Sequence, residues 1–151
     1  MRAVADVITD LEIVLAYQNE EVVARFCADY GFSPAQGEEI FTETKRWLWL
    51  CARHAADGRP GADLSMGDEM AVIDQMWHTF LLFTFDYAEF CERFFGCFIH
   101  HQPTPGFVKN AMTPEKRMIT LRNNYEFIYD HLGAEILKLW CEEFPVRFSG
   151  R

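Results

Sequence analysis

Residues 73–103 read IDQMWHTFLLFTFDYAEFCERFFGCFIHHQP, and this stretch decides both the fold class and the place to look for a site. Ile73, Met76, Trp77, Phe80 and Leu81 recur at the spacing of one buried helix face. Tyr87, Phe90, Cys91 and Phe94 repeat that spacing, with Thr84 as the cap expected between the two helices and Gly96 as the stop. Cys97 to His101 then reads as a short extended segment, turned by Pro103, Pro105 and Gly106. Among these residues lie Asp74, one helical turn before His78, and Tyr87, one turn before Cys91. His100 and His101 close the stretch.

On the N-terminal side, Val4, Val7, Ile8, Leu11, Val14 and Leu15 share a helix face, and a second helix is expected from about Asn19 to Gly31. Ser33-Pro34-Ala35-Gln36 combines a cap, a first-turn proline and a capping-box glutamine. The helix it opens carries Ile40, Phe41, Thr44, Trp47, Leu48, Cys51 and Ala55 on one side. Trp49 lies off that stripe, so burial on more than one face is expected. It should end near His54, where the helix dipole favours an imidazole. The run 57–68, DGRPGADLSMGD, is the clearest loop. On the C-terminal side, Thr113-Pro114-Glu115 opens a helix that Gly133 stops, and a last helix is expected to end at Pro145. No strand series appears. The expectation is all-α: a single compact domain spanning 1–151, with about seven helices and a short extended segment near 97–103.

The 151 residues are half hydrophobic, enough to build a core without staples and too apolar for intrinsic disorder. The net charge of −9 argues against a nucleic-acid backbone or an anionic membrane as main partner, since both select basic surfaces. It leaves room for a protein partner. No signal peptide and no apolar run of membrane-spanning length is visible. Five cysteines, an odd number without a Cys-x-x-Cys pair, read as reduced thiols of a cytoplasmic protein.

Together Asp74, Trp77-His78, Leu81, Thr84, Tyr87, Cys91, Gly96 and His100-His101-x-Pro103 resemble the pattern of the glycine-rich-domain-protein-like family, over about a fifth of the chain. Many members of that family carry a histidine where this chain has Phe80. The resemblance points to the same site and implies no particular reaction.

Three chemistries fit the residue types. The first is a metal site for zinc or non-haem iron. His78, Cys91, His100 and His101 are its candidate ligands, since both ions favour imidazole, thiolate and carboxylate donors. Asp74 and Tyr87 stand behind them; Asp74 either ligates or fixes an imidazole tautomer. Adjacent residues of an extended segment point opposite ways, so His100 and His101 are expected to divide their roles. The second is a thiol site with Cys91 as nucleophile, which its place late in a helix disfavours. In the third, the cluster is a satisfied polar network inside a non-enzymatic interaction or adaptor domain.

Overall fold

A computed structural model describes residues 8–57, 64–102 and 111–149. In chain order these form α1 (Leu11–Leu15), α2 (Glu20–Tyr30), α3 (Pro34–Asp57), α4 (Ala71–Leu82, entered through a 3-10 turn at Asp68–Met70), α5 (Thr84–Phe95) and α6 (Pro114–Leu132). The last helix, α7, runs over 134–147 as Ala134–Lys138, a π-helical turn at Leu139–Glu143, and Phe144–Arg147. The fold is all-α, with seven helices and no strand among the described residues. None of these helices is long and apolar enough to cross a membrane.

The local signals set most helix ends. Asn19 Oδ1 accepts from the Val22 N–H at 3.2 Å and starts α2. Ser33 and Gln36 form the reciprocal capping box, at 3.0 and 3.2 Å. Thr113 caps α6 through the Lys116 N–H at 3.2 Å, with Pro114 in the first turn. Gly31 and Gly96 stop α2 and α5 at φ 74° and 69°, in left-handed backbone that costs other residues 1 kcal/mol or so.

Three expectations are corrected. Val4 and Val7 lie outside the described residues, but helix does not begin before Leu11 among those described. The Thr9 N–H donates to the Phe94 carbonyl, and the Thr9 carbonyl accepts from Trp49 Nε1. Its backbone is therefore held by α5 and α3 and not by a helical ladder. Thr84 does not cap α5; the helix turns at Phe83 (φ −88°, ψ 69°), whose carbonyl accepts from Tyr87 N–H at 2.8 Å. Pro145 does not end the last helix. It follows the π turn, and a proline near the start of a fresh turn has no N–H to miss. The expected turn at Pro103, Pro105 and Gly106 lies outside the described residues, as do residues 58–63 of the 57–68 loop.

α3 is the axis of the molecule. It packs against α1, α2 and α4, and Trp47, Leu48, Trp49 and Leu50 are all buried, so burial runs round the helix. α2 crosses it at Gly37, where a Cβ would stand 2.4 Å from Cys27 Sγ and 2.9 Å from Val23 Cγ1. Lys45, buried beside Phe41, donates to the Leu15 and Tyr17 carbonyls at 2.7 and 2.6 Å and closes the end of α1. Burial pulls its pKa down to about 8. α4 and α5 then form a hairpin whose aromatic side meets Phe41 and Tyr17, and the 97–102 segment returns across it.

Candidate functional site

The residues singled out in 73–103 separate into two groups with different surroundings. The inner group is closed. Trp77 Nε1–H donates to the Tyr87 hydroxyl at 3.0 Å, and the Tyr87 O–H donates to the Ile99 carbonyl. Cys91 is fully buried against that hydroxyl and the Ile99 backbone. Burial pushes both the Cys91 thiol and the Tyr87 phenol up in pKa, so each stays neutral and protonated. A thiol held this way is neither a ready nucleophile nor a ready thiolate ligand. What the group does is mechanical: it ties the extended segment to the α4–α5 hairpin.

That tie gives a direct expectation. Tyr87→Phe removes one hydroxyl but strands two buried partners, the indole N–H of Trp77 and the carbonyl of Ile99. Each orphan costs about 1–3 kcal/mol, so a loss of about 2–3 kcal/mol is expected in denaturant unfolding. An unchanged midpoint would show that the hydroxyl holds nothing.

The outer group is open. His101 Nε2 lies 2.7 Å from Asp74 Oδ1, and His78 Nε2 lies 3.8 Å from the same oxygen. The donor atoms of the three side chains all fall within 4.8 Å of one another. Asp74 and His78 are one turn apart on α4, and the chain brings His101 to them from 27 residues away. Trp77 fixes it there: the two rings stack at 3.8 Å between centroids and 12° between planes. The hydrogen bond from His101, then the charges of His78 and His101, hold the Asp74 carboxyl below its usual pKa against the opposing effect of burial.

Exposure differs along the group. The His101 side chain is 16% exposed, Asp74 35% and His78 56%. The cluster is thus anchored on one side and open on the other. It forms part of the wall of a cleft of about 1130 Å³ between α3, the 64–68 segment, α4 and the 97–102 segment.

His100 and His101 divide as the alternation of an extended segment predicts. His100 is exposed and packs on Phe98 at 4.7 Å, while His101 turns inward. Of the expected ligands, the structure brings together His78 and His101, adds Asp74 to them, and leaves Cys91 and His100 outside the converging set. Phe80 faces the other way, fully buried among aromatic rings. Sequence reasoning missed the Trp77–His101 stack and the Ile99 carbonyl. A backbone acceptor carries no residue signal, and nothing local marks a tryptophan as a platform for a distant ring.

Comparison with known proteins adds one finding. A family model described as UCP032817-like matches residues 12–133, most of the chain. This overturns the resemblance to the glycine-rich-domain-protein-like family, whose matching residues were confined to 74–103, about a fifth of the chain. No curated protein and no solved structure matches.

Proposed function

We propose that this chain, which belongs to the UCP032817-like family, binds one divalent transition metal ion, zinc or ferrous iron, through Asp74, His78 and His101. The observation that carries the reading is the convergence of two imidazoles and a carboxylate within 4.8 Å on the wall of a cleft. Two histidines and one carboxylate are a donor set that suits both ions, and three protein ligands leave positions free. Ligand distances near 2.0–2.2 Å require only that an ion replace the proton shared by His101 and Asp74 and that His78 swing in from 3.8 Å. His78 is free to do so, since over half of its side chain is exposed.

Asp74 thereby serves as ligand, and Trp77 and Tyr87 as the supports that keep His101 in place. The shared packing around α3 supports reading 1–151 as one functional domain. The net charge of −9 and the free state of all five cysteines support a role in a reducing, cytoplasmic setting, away from nucleic acid and anionic membranes.

The test is elemental analysis and calorimetry on untagged protein. Wild type should hold close to one zinc or iron per chain after reconstitution. His101→Ala and His78→Ala should weaken binding at least about 100-fold, the upper end of what even supporting residues cost. Cys91→Ala and His100→Ala should bind as wild type does. A wild-type chain that stays metal-free after reconstitution ends the reading.

A second reading draws on the closed Trp77–Tyr87–Ile99 network. In it the whole cluster is structural and the chain is a non-enzymatic protein-interaction or adaptor domain. It predicts that His78→Ala and His101→Ala lower stability equally with and without added metal.

A further inference from the structure

Resting on the metal reading above, we propose that the centre takes a second ligand: a small 2-hydroxy or 2-oxo carboxylic acid that chelates the ion through two oxygens. Its apolar body lies in the adjoining cleft. The ion's coordination is the first argument. Asp74, His78 and His101 supply three donors, and no further His, Cys, Asp or Glu among the described residues joins them. Zinc accepts four or five ligands and ferrous iron six, so one to three positions are left for oxygen donors, two or more of them on five-coordinate zinc or on iron.

Geometry says where those positions point. Trp77 covers one face of the His101 ring at 3.8 Å, whereas Asp74 and His78 are open. The free positions therefore face the cleft. Its volume, about 1130 Å³, lies just above the usual range of small-molecule sites and far exceeds what a few metal-bound waters need. Leu64, Met66 and Phe98 give it apolar walls.

Charge narrows the ligand further. The described lining residues include no lysine or arginine and two carboxylates, Asp68 and Asp74. Among the described lining residues the ion would therefore be the one permanent positive charge an organic acid meets. With two neutral imidazoles and one carboxylate, a divalent ion keeps a net charge of about +1, which a monoanionic chelate cancels in a half-buried site. A single carboxylate oxygen would leave a position empty and gain less. Binding of the acid should therefore require the metal, and should require the oxygen on C2.

Cobalt(II) provides the readout, because its visible spectrum reports changes in coordination. Protein loaded with Co²⁺ and freed of excess by dialysis is titrated with mandelate, phenylpyruvate and phenylacetate. Mandelate or phenylpyruvate should change the spectrum saturably, with cobalt retained on a second dialysis. Phenylacetate, which keeps the phenyl group and the carboxylate but has no oxygen on C2, should bind at least about tenfold more weakly. Metal-free protein should show no heat with any of the three. At saturating cobalt, Leu64→Asp should weaken mandelate at least about tenfold.

The outcomes separate the two claims. If cobalt does not bind, the metal reading falls and this inference falls with it. If cobalt binds and no probe alters the spectrum, the inference alone is overturned. Equal affinity for phenylacetate and mandelate overturns chelation, and unchanged mandelate affinity in Leu64→Asp overturns the placement in the cleft.

Discussion

Phe80→Ala is expected to lower the unfolding free energy by about 3–5 kcal/mol, the range for emptying a buried aromatic position. Phe80 is fully buried. Its ring meets Phe41, Tyr87 and Phe90 edge-on at 5.4, 5.1 and 5.3 Å, and Tyr17 at 6.3 Å. It touches α3, α5 and the residues after α1 together, so its loss opens a void that no single helix can close. His78 lies two residues earlier on the same helix, about 200° away around its axis. Phe80→Ala should therefore unfold at lower denaturant yet bind metal as wild type does while folded. Phe80→Leu, which refills part of the space, should recover much of the loss. A loss under about 1 kcal/mol for the alanine variant would mean that the hairpin is not packed as described.

Glu43→Ala should cost a similar amount, about 3–5 kcal/mol, by a different route. Glu43 is a buried acid on α3. Both of its oxygens accept from Arg46 Nε at 3.1 Å, and Oε1 also accepts from the indole N–H of the fully buried Trp140 at 3.2 Å. Removing the carboxylate strands a largely buried guanidinium and an indole donor together. Glu43→Gln keeps an acceptor for Trp140 and loses only the charge, so it should fall between alanine and wild type. Equal losses for the two variants would show that the ion pair, and not the Trp140 contact, carries the effect. The site of damage also differs from that of Phe80→Ala: Trp140 sits in the π turn of α7, so Glu43→Ala should loosen the C-terminal helix first, as hydrogen exchange would show.

Neither Glu43 nor the stack on His101 is announced in the sequence, for the same reason. Both depend on partners far along the chain, 97 residues away for Trp140 and Glu43 and 27 for His101 and Asp74. An acidic residue in a helix reads as exposed until its partner is known. Lys45 behaves alike: it becomes a buried cap for α1 only because two carbonyls from the α1 end arrive beside it. The family resemblance failed because a short stretch stood for the whole chain. It rested on residues confined to 74–103, whereas the family model matches over 12–133.

The sequence by itself determined the all-α class, most helix ends and the region of the site. Those features arise within one or two turns: the Ser33–Gln36 box, the Thr113 cap, the glycine stops and the one-turn spacing of Asp74 and His78 are contacts a residue makes with near neighbours. Tertiary structure alone decided how the 73–103 residues divide. Tyr87 and Cys91 are drawn into a closed, neutral network, His100 is left outside, and His101 is laid on Trp77 beside Asp74 and His78. The physical reason is that the extended segment has no ladder of its own. Its register is set by the Tyr87 hydroxyl on the Ile99 carbonyl, the His101–Asp74 hydrogen bond and the His101 ring stacked on Trp77, and these exist only once the hairpin has folded beneath it.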